Sequence, residues 1–160
     1  MPELDGVRLS QLDSDHAALV YVFQYLIGNT DWSLVTGDGS NHCCHNGLLL
    51  EFNGQLRYVP YDFDLAGLVN ASYAKPDPSL RIRNVRKRRY LGFCTEPEPL
   101  FTAIRKVVGL EEAIYEVVRT TPGLSERNRV SDIEYLEQFF EKARDEEDLQ
   151  RRFEKQCKSA

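Results

Sequence analysis

At 160 residues with 42% hydrophobic content, the chain suffices for one domain, residues 1–160, with a sizeable core. Its formal net charge of −5 argues against general nucleic-acid binding. The polar opening, MPELDGVRLSQLDSD, is unlike a signal peptide, and the apolar run Ala17 to Ile27 is too short for a bilayer, so a cytoplasmic chain without a membrane partner is expected.

In chain order, Asp13 or Ser14 can cap a helix that runs to about Ile27. Leu19, Val20, Val22, Phe23, Leu26 and Ile27 make it apolar on nearly every side, the mark of a helix inside a domain. Gly28 ends it and delivers Asn29, Thr30 and Asp31 to one polar spot. VTGDGSN, residues 35–41, reads as a loop.

The clearest local signal follows in LLLEFNGQLRYVPYD, where two short apolar runs flank Asn53-Gly54, the preferred pair for a two-residue hairpin turn. From Asp62 to about Tyr90 the pattern is irregular and holds RIRNVRKRR, six basic residues in nine. Such a run serves as a solvated or ion-paired face, a dock for an acidic or phosphorylated substrate, or a nucleic-acid contact.

The remainder is helical. Thr95 and Glu98 have capping-box spacing before Leu100, Phe101, Ile104, Val107 and Val108. A further helix is expected from about Leu110, with Ala113, Ile114, Val117 and Val118 on one face, broken by Pro122-Gly123. Ser131 and Glu134 form another apparent capping box ahead of Ile133, Leu136 and the core pair Phe139-Phe140. A last amphipathic segment carries Leu149, Phe153 and Cys157. The fold class is therefore α+β and mainly helical.

Cys43, Cys44, Cys94 and Cys157 make a poor disulfide framework, two adjacent and two distant, so free thiols in a reducing compartment are expected. The run His42-Cys43-Cys44-His45 invites a zinc reading, but four consecutive ligands cannot all turn toward one ion.

Phosphoryl transfer asks for a carboxylate that orients or deprotonates the acceptor and for oxygen ligands that hold magnesium against the phosphates. Asp31, Asn46, Asp62 and Asp64 are of the right types and fall on the loop side of the hairpin. Each also has a plain use. Asp31 can cap a turn, and Asp62 and Asp64 can form one, Asp64 being the more structural of the two. His45 reads as a solvated loop residue or as an orienter of the site, and His16 as structural.

The segments GNTDWS, HN and YVPYDFD together resemble the carboxy-terminal lobe of atypical protein-kinase-like folds, in particular the HipA-type toxin kinases and the CotH-type spore-coat kinases. The resemblance spans residues 15 to 70 and, more loosely, the helical remainder. It implies ATP- and magnesium-dependent transfer to an unknown acceptor, or a related nucleotidyl transfer. Asp31 would be the catalytic base, Asn46 and Asp62 the nucleotide-metal ligands, and Asp64 a second candidate for the metal. GLVNASYA, residues 67–74, would open the counterpart of the activation segment.

Asp and Asn lie five positions apart in the ordinary kinase motif, so a loop must bring Asp31 and Asn46 together. About fourteen residues precede the first helix and the first lysine is Lys75, so the phosphate-covering lobe is expected to be missing. That lobe, or a second copy of the chain, would then be a partner. A non-catalytic kinase-like scaffold or binding module is the alternative function, and a basic-patch adaptor for nucleic acid a third.

Overall fold

A computed structural model describes residues 8–34 and 43–159. The loop expected over 35–41, and His42, lie outside the described residues. The described chain is α+β and mainly helical, with a two-stranded antiparallel sheet.

Helix α1 spans Ser14–Ile27, and its N-cap is Asp13, whose carboxylate accepts a hydrogen bond from the His16 amide at 3.0 Å. Arg57 of the hairpin donates to the same carboxylate at 2.9 Å, fastening the start of the helix to the sheet. His16 is structural, as expected: its Nε2 pairs with the Tyr58 carbonyl at 2.8 Å. The His16 amide, with Arg57 behind it, holds the Asp13 carboxyl below its ordinary range, against the opposing pull of partial burial.

A lowered folded-state pKa contributes stability above the unfolded-state value and loses it as pH falls through the folded one. Asp13→Ala should therefore cost about 1 kcal/mol at neutral pH, and its deficit against wild type should shrink below about pH 4. Urea denaturation at pH 7 and pH 3 measures both.

Strand β1, Gly47–Phe52, pairs with β2, Gln55–Pro60, from Gly47 opposite Pro60 to Phe52 opposite Gln55. Asn53 and Gly54 turn between them with φ of 51° and 79°, the left-handed pair a two-residue hairpin needs. Leu49, Leu56 and Tyr58 face the core, while Leu48, Phe52 and Val59 face outward. The inward face sets the register: a slip of one residue would expose all three core side chains.

Helices α2 (Pro97–Val108), α3 (Glu111–Thr120), α4 (Glu126–Ala143) and α5 (Glu146–Glu154) complete the core. Two capping boxes read from the sequence are corrected here. Helix α2 starts at Pro97 behind Glu96, with no side-chain cap, because proline is favoured at a first helical position. Helix α4 starts well before Ser131, capped by Ser125, whose hydroxyl accepts from the Asn128 amide at 3.2 Å. On α3 the buried residues are Tyr115 and Val118; Val117 is 66% exposed. Phe139 and Phe140 are buried core, as expected.

The basic run is partly structural. Arg88 donates to the carbonyls of Leu26 (3.0 Å) and Tyr135 (2.7 Å), and its guanidinium lies 3.7 Å from the Tyr135 ring centroid. Arg86 donates to the Ser131 carbonyl at 2.9 Å and covers the same ring at 4.4 Å. These two arginines bind the irregular segment to α1 and α4. Arg81, Arg83, Lys87 and Arg89 are exposed.

The expected free thiols are also corrected. Cys43 is joined to Cys44, and Cys94 to Cys157 across a sequence separation of 63 residues. The second pairing follows from tertiary contact that spacing conceals. The Lys158 amide donates to the Gly92 carbonyl and the Cys94 amide to the Lys158 carbonyl, both at 2.9 Å. Among the described residues no helix is long and apolar enough to cross a membrane.

Candidate functional site

Helix α1 stops because Gly28 takes a left-handed φ of 68°, which turns the chain sharply toward the hairpin. Asn29, 1% exposed, accepts the Asp31 amide on its side-chain oxygen at 3.0 Å. Its carbonyl takes the Trp32 indole N–H at 3.2 Å. Buried Trp32 anchors the turn, and Asp31, one position earlier, is left at the surface with its side chain 36% exposed.

On the far side of the loop, Ser33 and His45 form an antiparallel bridge, the Ser33 amide donating to the His45 carbonyl at 3.1 Å. This bridge closes the interval that the sequence left open. The Asn46 side-chain amide donates to the Asp31 carbonyl at 2.7 Å and to its carboxylate at 2.9 Å. The other carboxylate oxygen lies 2.9 Å from His45 Nε2. A carboxylate only accepts, so that nitrogen carries the proton. His45 is thus an orienter of Asp31 rather than the solvated loop residue the sequence favoured.

Asp31 and Asn46 are therefore in contact although 15 positions apart. With its N–H2 group committed to Asp31, the Asn46 amide has its Oδ1 on the opposite branch, and no described residue donates to it. Asp62 stands at the same end of the hairpin. The preceding residue, Tyr61, donates its amide to the Asn46 carbonyl at 3.0 Å. Asn46 and Asp62 both hold left-handed backbones, φ 53° and 58°. Among residues other than glycine, Asn and Asp adopt this region most readily.

Asp64 is engaged elsewhere, accepting the Tyr73 hydroxyl at 2.9 Å. That bond raises the Tyr73 pKa above its ordinary value. Tyr58 supports the site from beneath: its hydroxyl reaches the carbonyls of His45 (2.8 Å) and Asn46 (2.9 Å), and its ring lies over Gly47, where a Cβ would fall 2.0 Å away. Burial pushes the Tyr58 phenol far above its ordinary value, so it stays a neutral donor.

A cleft of about 340 Å³ opens beside Asp31 and His45, walled by Thr30, Ser33, Ser79, Leu80, Leu91 and Lys158 among others. Sequence reasoning singled out neither Lys158 nor Ser79, since no local pattern marks either. Among the described residues no three His, Cys, Asp or Glu side chains gather as a ready metal site; a set built on Asn46 and two aspartates would draw further ligands from phosphate and water. A second groove, about 500 Å³ and apolar, runs between α1 and α3 and reaches Pro60 at the end of β2. Leu19, Phe23, Leu110 and Val117 are among its walls.

Comparison of the chain with protein-family models, with curated proteins and with solved structures finds no match.

Proposed function

We propose that this chain is a kinase-like carboxy-terminal lobe whose hairpin carries an ATP- and magnesium-dependent phosphotransfer site. The observation that supports it is the Asn46 amide, which fixes both the main chain and the carboxylate of Asp31 through its nitrogen and leaves its oxygen without a donor among the described residues. Asp31, oriented by His45, is the base facing the acceptor hydroxyl. Asn46 Oδ1 and Asp62 are the ligands that would take magnesium with the phosphates, with Asp64 in reserve. Magnesium, when bound, neutralises charge developing on the transferring phosphoryl group.

Nucleotidyl transfer would use the same ligands. The apolar groove reaching Pro60 is where a nucleotide-binding lobe, or a second copy, would find apolar surface to cover. A cytoplasmic location belongs to the same proposal, and there the Cys94–Cys157 bond would be redox-responsive rather than permanent. A second reading, a non-catalytic scaffold, draws on one feature: both Asp31 carboxylate oxygens already serve the loop. Each oxygen keeps a further lone pair, however, so a bonded carboxylate can still accept a proton.

Asp62→Asn separates the two. Asn holds a left-handed backbone as readily as Asp, and the substitution removes whatever repulsion Asp62 has with Asp64, two residues on, in the metal-free chain. The expected result is an unchanged or slightly raised melting temperature without metal, and loss of the stabilisation that millimolar Mg-ATP gives the wild type. A sharp fall in the metal-free melting temperature would make Asp62 a structural residue and favour the scaffold.

A further inference from the structure

The apolar groove between α1 and α3 has a direction. Val20, Leu26, Val107 and Leu136 are its buried walls, while Leu110 and Val117 stand exposed at its lip. Among the described residues, Lys106 of α2 is the one charged group on those walls, and no acidic residue joins it there. Lys106 and Leu19 also border a second hollow of about 380 Å³, so they mark the end where the two spaces adjoin. The opposite end is apolar: Ile27 and Leu68 lie there, the Leu68 amide donating to the Ile27 carbonyl at 2.9 Å. From Leu19 to Ile27 the helix advances about 12 Å.

The second hollow is not an acidic trap for the lysine. Two carboxylates, Asp13 and Asp15, line it with two permanent cations, Arg57 and Lys106, and with His16, which is bound to the Tyr58 carbonyl. Asp13 pairs with Arg57 at 2.8 Å. No carboxylate among the described residues lies within ion-pair distance of Lys106.

We propose that the groove binds an unbranched fatty acid of medium length, its alkyl chain lying along α1 toward Ile27 and Leu68 and its carboxylate meeting Lys106. At about 500 Å³ the groove falls within the roughly 300–1,000 Å³ of ligand sites, which pair mostly apolar walls with a few placed polar groups. A cationic head would meet a like charge at Lys106, and an uncharged head would gain nothing from it. A nucleotide-binding lobe or a second copy would have to cover the same walls, and either would compete with the acid. A single cation at one end of an apolar channel matches a one-headed amphiphile better than a protein face, whose polar contacts ring the patch. The proposal is independent of the phosphotransfer reading.

The test is isothermal titration calorimetry of the purified chain, without nucleotide or magnesium. The probes are decanoate, decanol and decyltrimethylammonium, each below its micelle concentration. The chain carries a net charge of −5, so unspecific attraction would favour the cation. Decanoate should bind most tightly of the three, and roughly tenfold tighter than the shorter octanoate. Lys106→Glu should weaken decanoate about tenfold and leave decanol unchanged, so that decanol reports an intact groove. Lys106→Gln, which removes the charge without reversing it, should cost about threefold and decides the point where the reversal disturbs α2. Val117→Asp, at the exposed lip, should weaken decanoate and decanol alike.

Equal or tighter binding of the cation, or no saturable binding of decanoate, would overturn the proposal. So would a decanoate affinity unmoved by the Lys106 variants or by Val117→Asp. A chain that sediments as a dimer, takes up no decanoate and is dissociated by Val117→Asp would assign the groove to a second copy instead.

Discussion

Gly28→Ala is expected to cost about 2–5 kcal/mol of folding stability, among the largest single-residue effects in this chain. Two causes add. The backbone there is left-handed at φ 68°, which costs an L-residue roughly 1–2 kcal/mol. A Cβ would also fall 1.9 Å from the Tyr135 hydroxyl oxygen and 3.5 Å from the Gly67 Cα. The Gly67 amide donates to the Gly28 carbonyl at 3.1 Å, so the two strands of chain cannot part freely. Tyr135 cannot yield either, with Arg86 and Arg88 across its ring.

The two causes can be told apart. Gly54 is also left-handed, at φ 79°, with nothing within 4 Å of its would-be Cβ, so Gly54→Ala should lose only the backbone part. Tyr135→Phe removes a buried hydroxyl that has no hydrogen-bond partner among the described residues, and combined with Gly28→Ala it should recover most of the steric part. Denaturant melts of the three variants and the double variant settle the division. A Gly28→Ala chain as stable as Gly54→Ala would mean that the Gly28–Gly67–Tyr135 junction is looser than described.

The second large effect is catalytic. The 160-residue chain by itself should show no phosphotransfer, and should bind ATP no tighter than about millimolar, roughly −4 kcal/mol. On the proposed reading, Asp31 would supply the base and Asn46 and Asp62 the metal ligands. In the kinase pattern the remaining charge stabilisation comes from a strand lysine and a loop over the phosphates, and positioning of this kind accounts for most of phosphoryl-transfer catalysis. No lysine precedes Lys75 in the chain. Robust autophosphorylation by these 160 residues, abolished by Asp31→Ala, would contradict the expectation and make the chain a self-sufficient enzyme.

How far the sequence alone leads is visible element by element. The ends of α1 and the hairpin turn were readable because each is written in local chemistry: an Asp cap, a Gly stop, an Asn-Gly pair. The starts of α2 and α4 were misplaced because serine and threonine three residues before glutamate also occur by chance. Pro97 and Ser125 carried the true signals. Asp31, Asn46 and Asp62 were proposed as site residues on type and order alone, and of these the structure brings Asp31 and Asn46 into contact.

The role of His45 could not be read in this way. It depends on the Ser33–His45 bridge, a tertiary pairing with no periodic signature. The same holds for Lys158 and for Cys94–Cys157, which meet only because the chain end folds back beside Gly92. Of six basic residues read as one run, Arg86 and Arg88 proved to be bound to backbone carbonyls, a distinction that charge counting cannot make.

The most direct test of the site is paramagnetic. Mn²⁺ replaces magnesium at oxygen sites and broadens the resonances of nearby protons, so it can be titrated into the isotope-labelled chain at millimolar ATP. The account predicts early, selective loss of the Asn46 side-chain amide signals and the His45 ring signals. Asp62→Asn should delay that loss, while residues of α4 and α5 remain sharp. Broadening that spares Asn46 and His45, or that Asp62→Asn leaves unchanged, would contradict the assignment of a metal–nucleotide site to this hairpin.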